Sequence, residues 1–553
     1  MAGKRRTLTR VLSNYLRLAG TFVVGLFLVR ILLKFDSSAY SVIVLLIAGL
    51  GIGSLLRDMV RTSMIPQLGA AHPSGGDAFR AIYNSAIALC LVGGIVTALI
   101  FGLLVCLLPL FRIPDELLFA ARCFVVFKGS QACLSILLAP TFNMYAVSER
   151  MAAYNFWFFM ERFADFSAAA LLVFWGTSSA STVIIGYGAL SAGFSILVLI
   201  IAVTWLVVLD SKLAPRFHEA RWRNVKKLFR ASYANSSIIL AENLYFRADV
   251  LIMNLGFGCY GNRVLGIASQ FVSYARLAGM GVAGGLDAVS ARVSKSGGVD
   301  SMRALVQTAM RMQAFVAFPA GVLIFALAPA AIELWVGDRL SGQTAALPAI
   351  VLMVRLLAIG TVARSLGEPG TFILSGARKV GPFARVMLIA AFINPVLVLL
   401  LCLVLPASTA YTAPAWAYSI LSLVVYIAIL PVMLLRTFQM RWIDLVAPLA
   451  KPILATTISS AVPLSLVSLE TADLLHFLWS VSVFGGAYLV CCAALEAQRL
   501  SKRIASLRAG LASQPASVLN ESASARNPHL VRASNSQTVP HVRASHLTSV
   551  ESE

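Results

Sequence analysis

The chain has 553 residues, of which 59% are hydrophobic and 12% charged, with a mean hydropathy of +0.83. That balance excludes a soluble enzyme or binding domain and describes a polytopic membrane protein, in which each crossing takes about 20 apolar residues. The formal charge of +21 does not imply nucleic acid as a partner, because the Lys and Arg gather in alternate connections, the pattern that orients membrane proteins.

Fourteen apolar spans follow one another, over 11–33, 40–66, 81–110, 118–144, 152–175, 182–209, 231–256, 262–292, 304–335, 345–375, 381–405, 412–435, 447–469 and 474–494. They are expected to be helices, since a helix satisfies its own backbone groups in lipid. The basic start, Met1 to Arg10, leads into the first run without a small-residue cleavage signal, so it reads as an uncleaved first helix. The even-numbered connections carry the charge, at Arg57/Arg61/Arg80, Lys212 to Arg230, Arg292/Lys295/Arg303, Arg378/Lys379/Arg385 and Arg436/Arg441. Gly176 to Ser181, Ala407 to Thr412 and Ser468 to Asp473 are nearly free of it, which places both termini in the cytoplasm.

Residues 210–230 are the longest connection between spans, with Trp222, Val225 and Phe229 on one helical face and Arg223, Lys226, Lys227 and Arg230 elsewhere. This is either an interfacial helix on anionic headgroups or a loose linker. It divides a six-helix lobe at 1–209 from a second at 231–436, with two additional helices over 437–500 and a disordered cytoplasmic tail over 501–553. The run Ala48-Gly49-Leu50-Gly51-Ile52-Gly53 in span 2 is echoed by Ala278-Gly279-Met280-Gly281-Val282-Ala283 in span 8, as expected of parallel repeats. The eight cysteines lie mostly in apolar runs and show no metal or redox spacing, so they read as small core residues.

Charges inside the spans carry the functional signal, because a charge at bilayer depth costs about 2.5–3.5 kcal/mol even on the lenient insertion scale. Asn14, Arg17 and Thr21 share a face of span 1; Ser269, Ser273 and Arg276 do so in span 8. Asn235, Glu242 and Asp249, seven apart, form a stripe on span 7, beside the i,i+4 pair Asn243 and Arg247. The stripe is either a cavity wall with a protonation or cation site or a polar seam between helices. Arg57 and Arg61 share a face of span 2, and either can be an ordinary end-of-helix residue that snorkels. Glu161 and Asp165 on span 5 flank Arg162, with Arg122 and Lys128 as candidate partners, while Arg364 and Glu368 on span 10 are spaced to neutralise each other. Arg355 points away from Arg364. Arginine keeps its charge and grips phosphate bidentately, so a wet cavity lined by Arg17, Arg57, Arg247 and Arg276 suits a pyrophosphate. There is no Walker A sequence, no H-E-x-x-H and no Gly-rich nucleotide fingerprint, so no catalytic site and no cofactor are expected.

The run Phe246-Arg247-Ala248-Asp249-Val250-Leu251-Ile252-Met253-Asn254-Leu255-Gly256-Phe257-Gly258 resembles the opening of the second half of Wzx-type polysaccharide flippases, in the multidrug/oligosaccharidyl-lipid/polysaccharide (MOP) exporter superfamily. Leu374-Ser375-Gly376-Ala377-Arg378-Lys379 resembles their turn between spans 10 and 11, and Tyr274 to Ser296 is similar to span 8 of lipid II flippases, with Arg276 at a cavity arginine's place. By the same likeness Arg17 and Arg57 sit where those proteins carry cavity arginines. The resemblance covers roughly residues 10–440 and implies an all-α MATE/MOP-like fold of two six-helix lobes, here with a further helix pair. It implies alternating access and an undecaprenyl-pyrophosphate-linked oligosaccharide as substrate, delivered for capsule, exopolysaccharide or lipopolysaccharide synthesis in a bacterial inner membrane, beside polymerase and export proteins. Coupling to H+ or Na+ would fall to Glu242 and Asp249. A lipid II flippase and a cation-coupled multidrug antiporter are the alternatives on the same fold; a membrane polymerase or ligase fits less well, because the external connections are short.

Overall fold

The computed structural model describes residues 2–72, 76–177, 179–216, 219–283, 286–296, 298–340, 345–466 and 473–512. The chain is all helical: α1 (Ala2–Phe35), α2 (Ser37–Ala71), α3 (Gly76–Leu107), α4 (Asp115–Val147), α5 (Met151–Phe174), α6 (Ala180–Leu209), α7 (Trp222–Ala283), α8 (Leu286–Ser296), α9 (Gly298–Val336), α10 (Ala346–Gly376), α11 (Gly381–Val404), α12 (Ala413–Ser422), α13 (Leu430–Phe438), α14 (Trp442–Leu466) and α15 (Leu474–Ala512). Met1–Cys492 form one compact unit and Ala493–Glu553 a second, whose described part is the end of α15. That helix runs past position 500, where disorder was expected, to Ala512; beyond it the expected tail lies outside the described residues.

Among the described residues ten helices are long and apolar enough to cross a membrane. The helices α2, α5 and α14 stand outside that set, and α7 contains two crossings rather than one. At Gly258 its backbone turns through φ 59°, ψ −144°, a conformation open to glycine. The consequence is a hairpin. In one straight helix Glu242 and Arg276 would stand about 51 Å apart, yet their side chains meet at 3.6 Å. With that turn counted, each of the fourteen expected spans falls on helix among the described residues. The eighth ends earlier than expected, at Ala283, and the chain resumes as α8. A π-helical stretch, Leu423–Ile429, joins α12 and α13 into a single crossing.

Connections of one parity meet at one face. Arg112, between α3 and α4, donates its backbone N–H to Asn254 Oδ1 at 2.9 Å and its guanidinium to the Gly256 carbonyl at 3.1 Å. Arg30, near the end of α1, reaches the Leu334 and Trp335 carbonyls at 3.3 Å and Asp338 at 2.9 Å. The other face carries the basic connections. There Tyr83, Asn84 and Ser85 on α3 hold the segment between α6 and α7, through the Leu213 carbonyl, the Arg216 N–H and the Arg221 N–H.

The packing of the two halves differs with depth. Toward the short-loop face one continuous core takes in Leu32, Tyr40, Leu45 and Phe124 from the first half and Met253, Val264, Ile332 and Ile350 from the second. Toward the basic face Met64, Leu68, Tyr83, Tyr145 and Leu228 form a core of the first half alone, while in the second half the continuous core runs on through Met302, Val306 and Phe438, beside a small cluster at Ala314, Ala317 and Leu366. A core shared by the halves above and a separate first-half core below describe a cleft that narrows toward the short-loop face.

Candidate functional site

The lining of this cleft is charged. Depth along a helix follows from 1.5 Å per residue. Counted from the Gly258 turn, Glu242 lies about 24 Å down one arm of α7 and Arg276 about 27 Å down the other; Arg364 lies about 27 Å from the start of α10. All three therefore belong to one layer, and their side chains join. Arg364 Nη2 pairs with Glu242 Oε2 at 2.6 Å and Arg276 Nη2 approaches the same oxygen at 3.6 Å. Arg276 Nε donates to Glu368 Oε1 at 2.7 Å, and Arg364 Nε stands 4.0 Å from that atom. Two guanidiniums and two carboxylates thus balance one another, as burial in low dielectric demands.

The four members are not equally accessible. Arg364 and Glu368 are 3% and 6% exposed, whereas Glu242 and Arg276 keep 26% and 28%. The first two are buried in the wall and the second two keep its exposed surface. The ring of Tyr426, from the π-helical stretch, lies against Gly367, one residue short of Glu368; a Cβ there would press on it at 2.5 Å. Pro369 leaves the Ser365 carbonyl without its intrahelical donor, at the same level of α10.

The first half holds a second cluster. Arg57 on α2 pairs with Glu161 on α5, both 19% exposed. Lys128 on α4 pairs with Asp165 at 2.9 Å and also donates to Gln131 at 2.9 Å. The expected link between Lys128 and the span 5 carboxylates is present.

Of the remaining arginines, Arg17 donates to Asn14 at 2.9 Å and lies over the Phe158 ring at 4.9 Å, on the α1–α5 side of the molecule. Arg247 occupies a different layer, about 16 Å from the Gly258 turn. It donates Nε to Asn243 at 3.1 Å, as its spacing suggests, and Nη1 to the Ile47 and Ala48 carbonyls of α2 at 2.9 and 3.3 Å. Glycine at position 51 makes this approach possible: a Cβ there would overlap the guanidinium. Arg247 therefore ties the second half to the first and does not join Arg276.

The stripe on α7 likewise divides. Glu242 faces the arginines, while Asp249, 4% exposed, accepts from Asn394 Nδ2 of α11 at 2.6 Å; that amide also donates to the Tyr245 carbonyl at 3.2 Å. The Asn235 side chain lies outside those described, as do Asp58 and Arg61. Arg355 turns away from the cluster as expected, donating to the Phe325 carbonyl at 3.1 Å and lying over its ring. Sequence reasoning missed Arg30 and Arg263. Arg263 is 7% exposed, with Nε 3.4 Å from Ser41 Oγ near the short-loop face. Each is a lone cation in an apolar run, the signal that marked the others. Among the described residues no group of His, Cys, Asp and Glu has the arrangement of a metal site.

No family model matches the sequence, and no curated protein matches it. Solved structures do resemble the fold. The lipid II flippase MurJ, in an inward closed conformation, is 12% identical over 88% of this chain and 99% of its own, with a TM-score of 0.65. An outward-facing multidrug resistance MATE family transporter of the MOP superfamily is 12% identical over 79% and 96%, TM-score 0.56. An inward-facing counterpart is 11% identical over 78% and 98%, TM-score 0.55. The fold is the one that these solved structures share.

Proposed function

We propose that this chain is a flippase for an oligosaccharide carried on undecaprenyl pyrophosphate, moving the headgroup from the cytoplasmic to the outer leaflet by alternating access. The observation that carries this reading is the partly exposed Arg276, paired to Glu242 and Glu368 deep in a cleft open toward the basic face. A pyrophosphate entering there offers Arg276 a better partner than a shared carboxylate, because phosphate accepts bidentately and carries more charge. The sugars would occupy the wet cleft and the prenyl tail the lipid. Arg57, paired to Glu161, would face the headgroup from the first half, and Arg17 would join the binding surface only from its place beside Asn14 and Phe158. Arg247 would join it only after leaving α2.

Displacing Glu242 from its arginines leaves a carboxylate uncompensated at bilayer depth, which is costly. A proton or Na+ taken up there, or at Asp249, would couple the cycle to an ion gradient. The chain would sit in the bacterial cytoplasmic membrane with both termini inside, and hand its cargo to polymerase and export proteins. A lipid II flippase is the second reading; the longer fold match to MurJ than to the MATE structures favours it. In both readings the cargo is a lipid-linked pyrophosphate and the chain makes and breaks no covalent bond.

The test replaces Arg276, Arg57 or Arg17 with Ala in a strain whose surface polysaccharide depends on this chain, and assays lipid-linked intermediates on each leaflet. Cytoplasmic-leaflet accumulation by at least tenfold is expected for Arg276→Ala. Normal outer-leaflet delivery in all three variants would overturn the assignment. Accumulation of lipid II in place of the polysaccharide intermediate would select the second reading.

A further inference from the structure

The segment joining α6 to α7 has a surface of its own. Four cations, Arg221, Arg223, Lys226 and Lys227, fall within seven residues without an intervening acid, and all four are exposed. Among the described residues none of them has an ion-pair partner. Elsewhere on the same face Arg303 bonds to Asp300 and to two carbonyls, and Arg441 lies beside Asp444. The carboxylate nearest in sequence, Glu219, is engaged by Arg216 at 3.6 Å and Asn84 at 3.0 Å.

Two large apolar side chains interrupt this cationic surface. Trp222 and Phe229 are 69% and 64% exposed, although Val225 on the same face and Leu228 beside it are buried, Leu228 in the core of the first half. The segment is therefore fixed and not a loose linker. Two buried residues and the α3 contacts hold it, while aromatic rings and cations project together on the free side. Its depth follows from its partner. Ser85, which accepts the Arg221 N–H at 2.9 Å, stands about 33 Å along α3 from Leu107, one hydrocarbon thickness below the short-loop face. Rings and cations at that level meet the acyl boundary and the headgroups respectively.

We propose that residues 221–229 are a docking site for anionic phospholipid headgroups of the leaflet on the basic face. The lipid phosphates lie across Arg221, Arg223, Lys226 and Lys227, and Trp222 and Phe229 insert among the first acyl methylenes. The site is separate from the cleft, so its occupant is bulk phospholipid and not the transported molecule. Because the segment is bonded to α3 at one end and continues into α7 at the other, a bound leaflet steadies the junction between the halves.

The experiment uses the purified full chain in neutral detergent with added phosphatidylglycerol or phosphatidylcholine, read by thermal unfolding. Phosphatidylglycerol is expected to raise the wild-type Tm above its value in phosphatidylcholine. The R221Q/R223Q/K226Q/K227Q variant should unfold like wild type in phosphatidylcholine and lose at least half of that increment. A control on the same face, K379Q/R385Q/R436Q/R441Q, should retain the increment. An undiminished increment in the first variant, or an equal loss in both, would overturn the site in favour of diffuse charge. Brominated phosphatidylglycerol gives a second readout that does not depend on Tm: it should quench wild-type tryptophan fluorescence more than that of W222F, and equal quenching would also overturn the proposal. Inorganic pyrophosphate, which the cleft arginines can also bind, should shift the Tm of wild type and of the R221Q/R223Q/K226Q/K227Q variant equally; a pyrophosphate shift lost in that variant would reassign the surface to soluble anions.

Discussion

Arg364 is the least exposed cation among the described residues. It is buried beside Glu242 and Glu368, so its removal leaves two carboxylates with only Arg276 to answer them. Breaking such a buried pair costs about 3–5 kcal/mol. Arg364→Ala should therefore lower thermal stability strongly, whereas the double variant Arg364→Met/Glu368→Leu, which removes one charge of each sign, should recover much of the loss; scanning fluorimetry in detergent decides. Arg276 is more exposed and should behave oppositely, with a small effect on Tm and a large one on transport. A Tm drop for Arg276→Ala as large as that for Arg364→Ala would mean that both are structural. The two cannot be ranked from the sequence, since both appear as an arginine in an apolar run. Exposure, 3% against 28%, separates them.

At the level of elements, the contact of α7 with α2 is the specific one. Arg247 reaches the α2 backbone only because position 51 has no side chain. Gly51→Val should push the two helices apart and reduce stability or expression. Adding Arg247→Ala should restore much of it, because the clash is with that side chain; a double variant no better than Gly51→Val alone would show that another contact fixes the glycine. On the opposite face, Tyr83 donates to the Leu213 carbonyl and shares a hydrogen bond with Thr141 at 2.7 Å, all buried. Tyr83→Phe leaves the Leu213 carbonyl without its donor and the Thr141 hydroxyl without its acceptor, and should cost about 1–3 kcal/mol in the same unfolding assay. The glycine echo between spans 2 and 8 was legible in sequence, but its use in span 2, as a passage for Arg247, was not. That arginine lies roughly 200 residues away along the chain, and no local pattern encodes such a pairing.

For the whole molecule, the short-loop face is the closed one. Arg30 with Asp338 and the α9 carbonyls, Trp335 Nε1 donating to the Leu26 carbonyl at 2.9 Å, and Arg112 on the α7 turn all bridge the halves there. The proposed alternating access would require these bonds to break in every cycle. With the eight native cysteines replaced, Arg30→Cys/Asp338→Cys joined by a reversible thiol cross-linker should stop transport, and reduction should restore it. Transport by the cross-linked protein would rule out opening at this point.

The sequence by itself determined the helical class, the number and order of crossings, the two faces, and which charges needed an explanation. Each of these is a local matter: twenty apolar residues must be helical in lipid, and a cation among them must find water or a partner. Tertiary structure decided which partner each charge takes. It sent Arg247 to α2, Asp249 to Asn394, and Arg276 to a carboxylate shared with Arg364. It also turned α7 back on itself at a single glycine, where the sequence shows an ordinary gap between two spans. The physical reason is that helical periodicity fixes the face a side chain occupies, while the neighbour on that face is set by the packing of distant segments. The cleft, its open side and its accessible arginine exist only at that second level.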